Sequence, residues 1–339
     1  MNKKCFQSIT LILVSLLLFT NCHQQPRVGL LMDDSKEGRW VKDKEILTRK
    51  IEELGGEVIM MASEGDAAKQ VELAREMLEE RLDVLIVIPS DQNIAAEIVK
   101  EARLNEVPVI SYDRLIRNAK VDMYISFDNV DIGEMQAKYI TTVCPKGKYA
   151  IIGGAVSDNN SFMLKLGQLN VLQPLVTKGD IEIVYDSFVE EWNADEGYRL
   201  MKECLDNNKQ IDAVLASNDE LAEGALLALK EAGVEKLPYI TGQDAGIDAC
   251  RRVISGEQTI TVYKPIEAIA SKTAEFAIQI AETGEIPKTY LSVNNGMRQI
   301  PAVLLPAMVV NKETINLTVV ADGYLEENNI RVPAENNKQ

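Results

Sequence analysis

Two carboxylates, Asp33 and Asp34, close the apolar run that begins at Val28, and five residues later comes the pair Arg39-Trp40. A carboxylate accepts hydrogen bonds, a guanidinium donates several from a planar fork, and an indole offers a flat face to the C–H side of a ring. Such a set suits a polyhydroxylated ligand. A plainer account competes with it, in which the acids cap a helix, the Arg is a surface charge and the Trp belongs to the core. The stretch alone leaves both open.

The ends of the other apolar runs bear on the choice. Pro89-Ser90-Asp91 follows Ile88, Asp113-Arg114 follows Tyr112, and the GGAVSDNN segment after Ile152 brings Asp158 and Asn160. Further on stand Glu190-Glu191-Trp192, Ser217-Asn218-Asp219, Gln243-Asp244 and Lys264-Pro265. In open parallel sheets, ligands bind beyond the carboxyl ends of the strands, so these groups converge by topology rather than by adjacency. Both tryptophans, Trp40 and Trp192, stand at such ends, which a random scatter of loop residues would not arrange. Asn218 and Asp219 also suit the N-cap of a helix starting near Leu221, and Asp244 suits a turn.

The elements that would hold these residues read as short β-rich runs alternating with longer helical patterns, the mark of parallel strands with covering helices. Strands are expected over 28–32, 57–61, 83–88, 107–112 and 123–127, with helices over 41–54, 67–81 and 94–104. The cycle then restarts, with helices over 133–143, 161–176, 194–205, 221–232 and 247–254. Its strands fall over 148–152, 181–185, 213–216, 239–241 and 259–263. The unbroken branched run DVLIVI, 83–88, reads as a strand buried on both faces. A further helix covers 266–281, and the chain from Thr289 onward reads as irregular, with Asn294-Asn295-Gly296 and several prolines. The fold class is α/β, built as two similar lobes.

Composition narrows the function. With 339 residues, 46% hydrophobic and 26% charged, the chain has the make-up of an ordinary globular protein with room for two domains, not of a disordered one. Its formal charge is −16, and −18 without residues 1–21, which carry Lys3 and Lys4 and no acid. Such a surface repels polynucleotides and anionic lipid, so nucleic acid is disfavoured as a partner. Lys3 and Lys4 precede an apolar run from Ile9 to Phe19, too short to span a bilayer comfortably, and residues 1–21 read as a secretory signal peptide. Cys22 stands where a lipoprotein leader places its acylated cysteine, although Asn21 departs from the usual small residue before it; secretion with simple cleavage is the alternative.

Cys144, Cys204 and Cys250 remain in the mature chain, an odd number that allows one disulfide or buried free thiols. The only histidine is His23. Its position removes Ser-His-Asp and Cys-His catalysis and the HExxH zinc site, so any enzymology would run on carboxylates, Lys or Tyr. No phosphate-binding glycine motif or metal spacing occurs, and no cofactor is expected.

The segments DDSKEGRW, DVLIVIP, YDR, YISFDN, GG…DNN, ASND, GQDA and TVYKP, in this order, closely resemble the type I periplasmic sugar-binding family. The likeness runs from about Val28 to the Asn-Asn-Gly segment and on to Asp322-Gly323. ASND and GQDA specify only a sugar-like ligand, whereas RW, YDR, DNN and VYKP together point to the family's D-xylose binders. The resemblance implies two Rossmann-like parallel-sheet lobes joined by three crossover segments, with residues 27–127 plus 265–292 in the N-terminal lobe, 128–264 plus 293–330 in the C-terminal lobe, and 331–339 as a tail. It implies that Arg39 and Arg114 donate to ring hydroxyls, Asp158 accepts, and Asn160, Asn218, Asp244 and Lys264 complete the shell. Trp40 and Trp192 would stack on the sugar, with Asp33 and Asp113 orienting the arginines. The family tends to place a tryptophan where this chain has Phe188, which leaves Trp192 as the stacking residue.

The expected protein is therefore a non-enzymatic, monomeric, lipid-anchored periplasmic binding protein that closes on D-xylose or a related monosaccharide. Its partner would be an ABC permease with its ATPase, or a membrane sensor kinase. A carboxylate-based glycosidase using Asp33, Asp158 or Asp244 is the enzymatic alternative, disfavoured because neighbouring cations keep acids ionised.

Overall fold

The computed structural model describes residues 25–35, 38–207 and 210–331. The signal segment, Cys22 and all of the tail but Arg331 lie outside the described residues. Five strands of the first lobe run parallel in chain order, β1 (Arg27–Met32), β2 (Glu57–Ala62), β3 (Val84–Val87), β4 (Val109–Tyr112) and β5 (Met123–Phe127). Between them lie helices α1 (Trp40–Glu53), α2 (Ala67–Leu78) and α3 (Ala96–Leu104). Every residue of β3 is buried, because helices cover both faces of a parallel sheet.

The second lobe opens with α4 (Asn129–Val143) and continues as β6 (Gly147–Ala155), α5 (Asn159–Lys178), β7 (Ile181–Val189) and α6 (Ala194–Asn207). It goes on through β8 (Ala213–Ala216), α7 (Asp219–Glu231), β9 (Tyr239–Ile240), α8 (Ile247–Ser255) and β10 (Thr261–Tyr263). Its parallel sheet has the order β7-β6-β8-β9. Helix α9 (Ile266–Thr283) then returns to pack on α1 of the first lobe.

From Thr289 onward the chain is not irregular. It forms β11 (Leu291–Asn294), β12 (Gln299–Leu305) and β13 (Met308–Val310). The first sheet therefore has seven strands, in the order β11-β12-β5-β4-β3-β1-β2, with β12 parallel to β5 and only β11 antiparallel. Residues 293–305, expected in the C-terminal lobe, belong instead to the first sheet. Pro301 disguises β12, since proline cannot donate to a ladder and argues against an interior strand. The last of three crossings falls between β12 and β13, the latter pairing with β10 in the second lobe. The other two follow Phe127 and Lys264. The first and last are tied together where the Asp128 amide donates to the Leu305 carbonyl at 3.1 Å.

Acids and amides at strand ends start several helices. Asp66, Asp128, Asp158 and Asn218 each accept a backbone N–H of the helix that follows. The second lobe also holds its strand ends with a buried glutamine. Gln136 Nε2 donates to the carbonyls of Gly242 at 3.0 Å and Ala216 at 3.3 Å, while its Oε1 accepts from Gln168 Nε2 at 2.8 Å. Replacing it leaves buried carbonyls unpaired. Gln136→Leu should lower unfolding stability by about 1–3 kcal/mol, measured by urea denaturation.

Candidate functional site

The C-terminal ends of both sheets face one cleft of about 870 Å³ between the lobes. All eleven residues singled out from the sequence line it: Asp33, Arg39, Trp40, Asp113, Arg114, Asp158, Asn160, Trp192, Asn218, Asp244 and Lys264.

Arg39 precedes α1 and is buried among acids. Its Nε and Nη2 donate to the two oxygens of Asp43, both at 2.9 Å, and Nη1 lies 3.0 Å from Asp113 Oδ2 and 3.7 Å from Asp244 Oδ1. Asp43 also accepts the Tyr112 hydroxyl at 2.5 Å. Burial works against the Arg39 cation, but Asp113, Asp43 and Asp244 together outweigh it and hold its pKa well above the ordinary value. Breaking such a buried pair by removing one partner costs about 3–5 kcal/mol, because the other charge is stranded.

Arg114 has the parallel role at the end of β4. Nη1 donates to Asp33 Oδ2 at 2.6 Å and to the Pro89 carbonyl at 3.2 Å, while Nε lies 3.1 Å from Asp158 Oδ2 across the cleft. Asp158 Oδ1 at the same time caps α5 by accepting the Asn160 amide at 2.9 Å. Asn160 reaches back, donating from Nδ2 to the carbonyl and Oδ1 of Asp113 at 3.2 and 3.3 Å. Asp33 thus accepts from Arg114, and Asp113 lies within ion-pair distance of Arg39.

In the second lobe, Lys264 Nζ pairs with Asp244 Oδ1 at 2.9 Å. Asn218 both caps α7 through Oδ1, accepting the Leu221 amide at 2.9 Å, and lines the cleft. The cap occupies its oxygen and leaves the NH2 as the group it can offer. Two loop residues sit in the left-handed region, Asp113 at φ 59° and Asp244 at φ 95°, with Ala245 beside the latter at φ 54°. Each such non-glycine conformation costs about 1–2 kcal/mol and persists only where surrounding bonds enforce it.

The tryptophans supply the apolar surface. The guanidinium carbons of Arg39 and Arg114 lie 5.0 and 5.2 Å from the Trp40 ring centre, within cation–π range. Trp192 rests on Gly154, where a Cβ would come within 1.9 Å of its Cη2. Its Nε1 is buried with no hydrogen-bond partner among the described residues. Phe188 packs instead against Gly153 and Phe162 and is not among the residues that line the cleft.

The site therefore pairs five carboxylates, on Asp33, Asp43, Asp113, Asp158 and Asp244, with three cations, on Arg39, Arg114 and Lys264. Acceptors outnumber fixed positive charges, an environment for a neutral donor-rich ligand and not for an anion. We expect the cations to hold the cleft acids below their ordinary pKa. Asp113 behaves so: burial pushes it up, but Arg39, Lys264 and Arg114 bring it below the usual range. Asp158 does not, since burial outweighs Arg114 and the Asn160 amide and pushes its pKa up.

Sequence reasoning missed Asp43 and Tyr324, and singled out Asp219 only as a strand-end acid and candidate helix cap. Asp43 was legible in principle, since Arg39 lies one helical turn before it. Tyr324 comes from the segment read as irregular, and Lys42 Nζ sits 3.8 Å from its ring centre. Cys144, Cys204 and Cys250 are buried and form no disulfide. Among the described residues there is no cluster of acids, His or Cys that could hold a metal ion, and no helix long and apolar enough to cross a membrane.

Direct bonds bridge the lobes. Besides Arg114–Asp158, Gln92 donates to the carbonyls of Ser157 and Val156, Arg117 to Asn159 Oδ1, and Lys42 to the Tyr324 carbonyl at 2.7 Å.

Two lobes touching across a polar cleft, joined by three crossings, define a clamp that encloses its ligand. The chain belongs to the periplasmic binding protein family, whose domain model matches residues 28–286. It is 39% identical over 318 residues to the D-xylose-binding periplasmic protein of Haemophilus influenzae, covering 93% of this chain and 96% of that one. To the Escherichia coli K12 protein of the same name it is 38% identical, over 96% and 99% of the two chains. A solute-binding protein of an ABC transporter from Clostridium phytofermentans, solved with bound β-D-glucose, superposes with a TM-score of 0.84 at 25% identity, covering 90% of this chain and 100% of that one.

Because Trp192 has no room above a side chain at position 154, Gly154→Ala should displace the indole. The expected outcome is a shifted tryptophan emission spectrum and about tenfold weaker ligand binding or worse, read by fluorescence titration.

Proposed function

We propose that this protein captures D-xylose between its lobes and delivers it to an ABC importer, with no bond made or broken. The acceptor-rich cleft, with cations interleaved, is the observation that carries the reading. A sugar hydroxyl donates and accepts, so a carboxylate on one side and Arg or Lys on the other satisfy it fully. Arg39, Arg114, Asn218 and Lys264 are the donors in this scheme, Asp158 and Asp244 the acceptors, and Trp40 and Trp192 the stacking faces, with Asn160 bonding from the second lobe. The names of the two relatives that align along nearly their whole length support the choice of pentose. Loss of one hydroxyl from the ligand would strand a buried polar group, a heavier penalty than a missing methylene. Delivery would follow from closure, since the ligand touches both lobes only when they meet. Retention near the membrane would come from acylation of Cys22 after removal of residues 1–21, and the working unit would be a monomer.

Calorimetry against a panel of pentoses and hexoses tests the ligand. D-xylose should bind tightest; tight binding of another sugar with none of D-xylose would overturn the assignment. Asp244→Ala should weaken binding by about tenfold to a hundredfold, given roughly 1.5–3 kcal/mol per charge-assisted bond, and Trp192→Ala should weaken it through loss of a stacking face, both in proteins that remain folded. Turnover of xylobiose or a chromogenic xyloside would refute the binding-only reading. Palmitate labelling should be present in the natural protein and absent in Cys22→Ser.

A further inference from the structure

Asp219 was a candidate helix cap, but Asn218 takes that role. The Asp219 side chain turns instead toward the loop that carries Asp244. Its Oδ1 accepts from Gln258 Nε2 at 2.8 Å, and its Oδ2 accepts from the Thr261 hydroxyl at 2.9 Å and the Gly246 amide at 3.2 Å. The Thr261 oxygen in turn accepts the Ala245 amide at 3.1 Å. On the backbone side, the Asp219 amide donates to the Gln243 carbonyl at 3.0 Å. One buried residue thus binds both flanks of the left-handed pair Asp244-Ala245 and ties them to β10. The fit is close, because a Cβ on Gly242 would come within 2.0 Å of Asp219 Oδ1.

We propose that Asp219 is the positioning residue for Asp244: its carboxylate holds residues 245–246, and its amide residue 243, in the conformation that presents the Asp244 side chain to the cleft. The proposal deepens the sugar-binding reading and rests on it for the ligand. Neither common substitute can do the same work. Asparagine sets an NH2 against at least one of three donors, and glutamate has no space beside Gly242.

The charges around Asp219 make the role measurable. Asp244 faces it from the loop, Arg252 and Cys250 from α8, and Tyr324 from the C-terminal segment. Burial, then the Asp244 charge, pushes its carboxyl up to about 7. A sugar hydroxyl that donates to Asp244 relieves part of that repulsion and lowers the Asp219 pKa in the complex. Binding then releases a proton near neutrality, so affinity rises with pH through about 7. Stability runs the opposite way. A carboxyl whose pKa is raised by folding favours the fold fully below its unfolded value, and that contribution is lost as pH climbs through about 7. A merely structural role would move stability alone.

The test compares the natural protein, Asp219→Asn and Thr261→Val. D-xylose affinity of the natural protein should rise about twofold to fivefold between roughly pH 6 and 8, the scale of a pKa shift of up to about one unit. Asp219→Asn should bind about tenfold more weakly at neutral pH and show a flat profile. Thr261→Val should weaken binding similarly, and the double variant should lose less than the two singles combined. Without sugar, the Ala245 and Gly246 amides should exchange with deuterium about tenfold faster in Asp219→Asn, read by NMR. Unchanged exchange, or unchanged affinity in a folded Asp219→Asn protein, would overturn the proposal. If the exchange result holds while the natural protein ignores D-xylose, the ligand assignment has failed and the positioning role stands.

Discussion

A buried guanidinium needs opposite charge beside it, and the cleft is arranged around Arg39, whose Nη1 has carboxylates at ion-pair distance but no hydrogen-bond partner among the described residues. Its fork needs Asp43 from the first turn of α1, Asp113 from a left-handed residue after β4, and Asp244 from the opposite lobe. Three distant parts of the chain must therefore be in place before the charge is accommodated. The first two belong to one rigid lobe. The third comes only when the second lobe is near, which makes Arg39 a point where folding and closure meet. Its contact with Asp244 is the longest of the set, at 3.7 Å, and Lys264 competes for the same oxygen at 2.9 Å.

The same economy recurs in the second lobe. Asp158 and Asn218 start helices with one atom and line the cleft with another. Because a capped helix end is among the stiffer parts of a parallel α/β lobe, the polar groups inherit its rigidity and lose little freedom when they bond. Trp40 and Trp192 are held in comparable ways, one beside two guanidinium groups and one on a glycine shelf. The cleft is accordingly preorganised within each lobe, and what remains adjustable is the distance between lobes.

The parallel sheets and the convergence of polar residues at strand ends were legible because both follow from local periodicity plus one topological rule. Individual boundaries drifted where polar caps blur the pattern; α4 begins at Asn129, four residues before the expected start, because Asp128 caps it. What escaped was long-range. Nothing local in QIPAVLL announces an interior strand of the first sheet, since Pro301 speaks against it and its partner β5 lies far away in sequence. The role of Asp219 escaped for a related reason: two adjacent residues both suit a cap, and only the arrival of Gln258 and Thr261 decides between them. The family resemblance named residues that line the cleft but not the atoms holding them.

The placement of β12 has a consequence for how the molecule comes into being. The sheet that begins at Arg27 acquires its sixth and seventh strands only from residues 291–305, after all four strands of the second lobe's parallel sheet have been strung out between. A chain emerging from its N-terminus can pair β1 to β5, but β5 keeps an open edge until the last tenth or so of the polypeptide arrives. The second lobe's sheet, by contrast, is made from one continuous stretch. The later lobe's parallel sheet can thus finish first, and the earlier one waits with an unsealed strand, the kind of edge that invites mispairing with a neighbour.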